Sequence, residues 1–298
     1  MRWVRDYTPQ PDVARLYRRA LIITLTGNLI LAASKSGAAF LSGSVALYAD
    51  AANSVSDVIY SLLMVLGLWV AQQPPDISHP QGHSRFEPLV GLMVTLSMGF
   101  AGYEAARQSV GRFMQGGMAV ELGWPTAVLL FSAAVKAGMF IYIRGIAETL
   151  GSPTLATTAQ DHLSDVMTST AAFLGAVGSR YVHPLTDPIG GILVSLWIFR
   201  AAISAGKENL GFLTGAGASE DVRKQVVNVA QSVPGVQRVH HMMTEYVGPR
   251  LVVDMHINVN GSMSVDQAHA IEDEVVTRLE HLPEVDRAYV HVEPEGFD

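Results

Sequence analysis

Cysteine is absent from the 298 residues, which removes disulfides and thiolate metal sites together and argues against copper(I) and other soft metals. The basic footprint of a nucleic-acid binder is missing too, so no nucleic-acid partner is expected. The first apolar block lacks a small-residue cleavage signature and follows an arginine-rich segment. It therefore reads as a retained helix and not as a signal peptide.

What the chain has is apolar length. Hydrophobic residues make up 49% of it and are concentrated in blocks of about 20, the length that spans a hydrocarbon core. Spans are expected near residues 20–40, 44–71, 86–108, 124–146, 155–181 and 188–205, giving an integral membrane protein with six helices. Arg2, Arg5, Arg15, Arg18 and Arg19 precede the first span, and Arg85, Arg144 and Lys207 lie at ends that share its side. They outnumber Arg112 and Arg180 at the opposite ends, which predicts cytoplasmic N and C termini.

Two polar pairs interrupt these spans: Asn53 with Asp57, and Asp161 with Asp165. Residues four apart share a helix face, so four oxygen-bearing side chains can meet between two helices as a divalent metal site. Ionisable groups at that depth cost about 2.5–3.5 kcal/mol each on insertion scales and mark ion pathways or proton relays. Three aspartates there carry charge that only a cation or protons neutralise. The plainer alternative is a structural polar contact between the helices. Lys35 and Lys136 also fall within spans and are read as balancing a carboxylate such as Glu87 or Glu104, or as snorkelling to the surface.

Charge is uneven along the chain. Residues 207–298 hold 15 acidic and 7 basic residues, a net of −8, which leaves +1 for the rest. Their pattern is amphipathic: a helix from Ser219 to about Ser232, strands over 236–246 and 250–259, a helix over 265–282 and a strand over 286–293. The expected organisation is a cytoplasmic segment (1–19), a six-helix transmembrane transport domain (20–206) and a cytoplasmic α+β domain of αββαβ order (207–298), ferredoxin-like in type. So small a sheet leaves exposed edges and often pairs with a copy of itself, which predicts a homodimer. Between the second and third spans, Asp76, His79 and His83 fall within eight residues. A carboxylate with two imidazoles suits zinc, iron or manganese.

Together these residues resemble the cation diffusion facilitator family, over nearly the whole chain. The resemblance is carried by SGSVALYADAANSVSD at 42–57, HPQGHSRFEPL at 79–89, AQDHLSD at 159–165 and DPIGGILVSL at 187–196. It implies a dimeric exporter of divalent metals, not an enzyme, whose transport site maps onto Asn53, Asp57, Asp161 and Asp165. Zinc-transporting members typically carry histidine at the first position of one or both pairs, where this chain has Asn53 and Asp161. His162 is adjacent, but one helical step turns it about 100° away, so it is not expected to substitute. An all-oxygen site favours harder ions, so the expected substrate is manganese(II), then iron(II), then zinc(II) or cobalt(II).

The resemblance further implies an interfacial metal site at Asp76, His79 and His83, and a tail site at His240, His256, His269, His291 and Glu293. His241 is expected on the opposite strand face. Asp50 is read as an outer-shell residue. Relatives pair a basic residue, here Arg85, with an acidic partner whose position falls near Gly215, so the interlock and a flexible hinge stand as alternatives. Metal bound to the tails is expected to act as a regulator that links the two copies. A bacterial inner membrane is the expected address. The expected mechanism is metal/proton antiport, since ligands that lose protons when metal binds can take them up again when it leaves. Two other classes compete: a metal sensor or scaffold that has lost transport, and an intramembrane aspartyl protease, for which neither Asp57 nor Asp165 has the glycine-rich context.

Overall fold

A computed structural model describes residues 3–5, 7, 9–42, 45–117 and 124–296. Two compact units divide after Leu210. The first contains α1 (Pro11–Ser42), α2 (Val45–Ala71), α3 (Phe86–Met114), α4 (Trp124–Leu150), α5 (Pro153–Tyr181) and most of α6 (Thr186–Leu213). All but α2 run past the corresponding apolar run, because polar turns extend the helices beyond the hydrocarbon length.

Five of the six are long and apolar enough to cross a membrane, and α5 is not. Thr154, Thr157, Thr158, His162 and Ser164 give α5 a polar face, and all five are buried, because α3 and α4 pack along it. The helix is shielded by protein, so its own hydropathy does not have to match lipid.

Where α5 begins, Ser152 caps it by accepting a hydrogen bond from the Leu155 N–H at 3.1 Å, and Pro153 occupies the first helical turn. The Ser152 hydroxyl also donates to Glu87, and Tyr17 Oη donates to the other Glu87 oxygen at 2.7 Å. Hydroxyl donors from α1 and the α5 cap thus satisfy the buried Glu87 carboxyl, and Arg107 binds Glu104 at 2.6 Å. Neither carboxylate is paired with Lys35 or Lys136 in the way the sequence suggested.

Close helix approach depends on small residues. A Cβ on Gly91 of α3 would lie 1.9 Å from Asn209 Oδ1 of α6. Asn209 in turn donates to Thr157 Oγ1 on α5 at 2.7 Å, so this glycine lets one amide tie α6 to α5 beside α3.

The second unit contains α7 (Glu220–Gln231), β1 (Arg238–Val247), β2 (Arg250–Val259), α8 (Val265–Glu280) and β3 (Val285–Pro294). The sheet order is β1-β2-β3, with β1 antiparallel and β3 parallel to β2. A two-residue turn at Gly248, whose φ is +70°, closes the hairpin, while α8 makes the longer crossover that a parallel pair requires. Ser264 and Gln267 form a capping box at the start of α8. Alternate residues Val253, Met255 and Ile257 pack with Val226, Val275 and Leu279 from the two helices. The other face of β2, including Asp254 and His256, is left uncovered by α7 and α8. Gly215 has φ +72°, a left-handed conformation that favours glycine, which explains why no acidic side chain stands there.

Replacing Ile257, fully buried in this core, with alanine is expected to destabilise the second unit by about 2–5 kcal/mol. Amide hydrogen exchange of β2 in the whole chain should then accelerate, while the α2 and α5 amides keep their protection.

Candidate metal centre

The helical periodicity of α2 and α5 brings Asp57, Asp161 and Asp165 to one place inside the helix bundle. A third helix completes it. Lys136 of α4, 3% exposed, sets its Nζ 3.1 Å from Asp57 Oδ2 and 2.5 Å from Asp165 Oδ2. Lys35 of α1 adds a second cation within electrostatic range of Asp57. Two carboxylates from different helices therefore converge on one cation-sized point.

Ligand atoms of Asp161, His162 and Asp165 all lie within 4.8 Å of one another. This corrects the expectation that His162 is turned out of reach, since the length of the imidazole offsets one helical step. Both His162 nitrogens are buried with no hydrogen-bond partner among the described residues, as are Thr24 Oγ1 and Asn28 Oδ1. Each such group costs about 1–3 kcal/mol, and their clustering concentrates that cost beside the aspartates. Asn53, one helical turn before Asp57 on α2, is exposed. The side chain of Asp50 lies outside the described residues.

A second group sits in the loop after α2. Asp76 lies 3.5 Å from His79 Nδ1 and 3.6 Å from His83 Nε2, and the two imidazole rings are 4.4 Å apart. The His79 backbone N–H donates to Asp76 Oδ1 at 2.6 Å. That bond, aided by the nearby His83 and His79 rings, holds the Asp76 carboxyl below its usual value. Gly82, at φ +94°, turns the chain so that His83 returns toward Asp76. The loop thus presents a carboxylate and two imidazoles in one cluster.

The third group lies on the open face of the second unit. Glu293 of β3 sits 2.9 Å from His240 Nε2, 3.4 Å from His256 Nδ1 and 3.5 Å from His291 Nε2. Asn258 Oδ1 holds the His240 Nδ1 edge at 3.0 Å. A β-bulge between Val239 and His241 puts two residues opposite one. Val239 and Met242 both pack against the core, so His240 and His241 share the outer face, and the His241 ring is 4.8 Å from that of His256. The expected separation of these two histidines is corrected by this bulge, which strict alternation does not anticipate.

His269 does not join that group. It is on α8, which covers the opposite face, and contacts Glu272 at 3.3 Å and Asp273 at 3.7 Å. Sequence reasoning also left out Lys136 and His162 as members of the buried centre. The signal for Lys136 was present, since a cation inside a span needs an anion at the same depth. His162 stood beside Asp161 in the chain.

Six helices with an intramembrane carboxylate centre, followed by a small α+β domain carrying imidazole clusters, define a membrane carrier of cations. Residues 21–214 match the family model of the cation efflux transmembrane domain, and residues 218–295 that of the cation efflux protein cytoplasmic domain. An uncharacterized transporter of Methanocaldococcus jannaschii, MJ0449, is 34% identical over 94% of this chain and 99% of its own length. The manganese efflux system protein MneS of Bacillus subtilis is 27% identical, covering 92% and 94%. The magnetosome protein MamM of Paramagnetospirillum magneticum is 31% identical, covering 84% and 79%. The chain belongs to the cation diffusion facilitator family and is an integral-membrane efflux transporter of divalent metal cations.

The exposed His269 offers a direct titration test. Its hydrogen bond to Glu272, with the charge of Asp273, raises its pKa above the usual 6.5. The stabilisation from these contacts is fully present below the unfolded value and is lost as pH rises through the raised one. Imidazole resonances of His269 should therefore titrate above those of a free histidine, and Glu272→Gln should bring the midpoint down. An unchanged midpoint would show that the contact does not set it.

Proposed function

We propose that the chain exports manganese(II) in exchange for protons, with iron(II) and then zinc(II) or cobalt(II) as poorer substrates. The observation that carries this reading is the convergence of Asp57 and Asp165, from separate helices, on the single ammonium of Lys136 at 3.1 and 2.5 Å. A point that holds one cation between two carboxylates, with Asp161 adjacent, is chemically suited to a second kind of cation. Carboxylate oxygens favour hard ions, and Asn53 offers a neutral carbonyl where zinc carriers have histidine. The similarity to a manganese efflux protein adds weight.

Proton exchange follows from charge. Three carboxylates face two lysines, so departure of a divalent ion leaves negative charge in a low-dielectric setting, and protons restore the balance. Lys136 must yield its place on Asp57 or Asp165 for a metal to use those oxygens. This competition makes loading and release depend on helix movement, consistent with alternating exposure of the site.

The protein works as a homodimer in a bacterial plasma membrane with both termini in the cytoplasm. The C-terminal domain serves as its regulatory platform. Its open face carries four histidines and Glu293, and a metal held there by His240, His256, His291 and Glu293 would stiffen the sheet and favour pairing of two copies. Asp76, His79 and His83 form a further site that orders the loop leading into α3.

Reconstituted into liposomes under an imposed pH gradient, the native chain should move manganese(II) faster than zinc(II). Asp57→Ala and Asp165→Ala should each abolish flux while the protein remains dimeric, and Asn53→His should shift preference toward zinc(II). Native zinc(II) flux exceeding that of manganese(II) would refute the metal assignment, and retained flux in either aspartate variant would refute the site. A separate measurement concerns the tail: His256→Ala should weaken zinc(II) binding to the full chain by about tenfold or more, read by competition with a chelating dye.

A further inference from the structure

A small cavity opens beside the Lys136 ion pairs. Its volume is about 20 Å³, and Thr24, Asn28, Asp57, Ser61, Asp161 and His162 are among the residues that line it. That is room for one water-sized occupant. Thr24, Asn28 and His162 are 2%, 3% and 1% exposed. Their Oγ1, Oδ1 and two ring nitrogens have no hydrogen-bond partner among the described residues.

The chemistry of the lining is strongly biased. Ser61 donates its hydroxyl to the Asp57 carbonyl at 2.7 Å, so it can only accept from Asn28, whose Nδ2 donates to it at 2.8 Å. This leaves Asn28 Oδ1 as an uncommitted acceptor. With a threonine hydroxyl, an imidazole and two carboxylates around the same space, electron-pair donors dominate. An anion is repelled by Asp57 and Asp161, and an apolar occupant leaves every polar group unmet.

We propose that Thr24, Asn28 and His162 join Asp161 in a second divalent-cation station that adjoins the Lys136-held pair and shares Asp161 with the transport site. It lies toward the ends where α2 finishes and α5 starts, because Met64 follows Asp57 on α2 and Thr158 precedes Asp161 on α5, and both also line the cavity. Mixed oxygen and imidazole donors select first-row transition cations over magnesium and calcium. A cation held here is adjacent to Asp57 while Lys136 still occupies the neighbouring oxygens, so the station loads the transport carboxylates and screens out magnesium. That role rests on the export reading above, whereas the binding itself does not.

The test is equilibrium binding of cobalt(II), manganese(II) and magnesium(II) to the full chain in lipid nanodiscs, alongside flux in liposomes. Thr24→Val, Asn28→Leu and His162→Gln should each weaken one class of cobalt(II) sites by about tenfold or more. His162→Gln should also let magnesium(II) compete with manganese(II), which loss of packing alone does not produce. The two α1 variants decide the matter if the histidine variant fails to fold. Native affinity and stoichiometry in the folded variants would mean that water fills the cavity, and the proposal falls. Cobalt(II) binding that the variants weaken, in a chain that moves no divalent cation, would sustain the station and overturn the export reading.

Discussion

Buried charge is the constraint on which the membrane unit depends. Three aspartates and Lys136 lie within the helix bundle, where a lone ion is costly to desolvate. The ammonium of Lys136 offsets part of that cost by bridging Asp57 and Asp165 across three helices. The bridge joins α2, α4 and α5, so the placement of these three helices depends on the charge balance among these side chains. A transporter needs such coupling, since binding at the centre must be felt by the helices that open to each side.

The polar character of α5 follows from the same constraint. A helix that carries Asp161, His162 and Asp165 cannot face lipid along that stripe, so α3 and α4 enclose it. Its start is secured by Ser152, which caps the helix and binds Glu87 at once. Hydroxyls, not lysines, satisfy Glu87, which leaves Lys136 available for the central aspartates. The polar residues thus divide into an anchoring group around Glu87 and a charged group at the centre.

In the C-terminal unit, the division of labour is between two faces of one sheet. Helices α7 and α8 cover the apolar face and supply its core, so the other face is left for imidazoles and Glu293. The bulge at His240 places an additional histidine on that face. His269, on α8, belongs to the helical layer and is held by its own helix neighbours, which explains why it is remote from the cluster within one chain.

The sequence by itself determined the local order: six long helices, the αββαβ succession, and the pairing of Asp57 with its helix face and Asp161 with Asp165, because periods of 3.6 and 2 are properties of neighbouring residues. The loop group of Asp76, His79 and His83 was legible for the same reason, its members being within one turn-rich segment. The tertiary structure decided which cation meets the carboxylates, since Lys136 is 79 positions from Asp57 and no local period relates them. It also decided that α5 is sheltered, that His162 faces the buried cavity, and that a bulge overrides strand alternation at His240. Each of these depends on packing between distant elements, where burial and charge pairing select among side-chain placements that local spacing leaves equivalent.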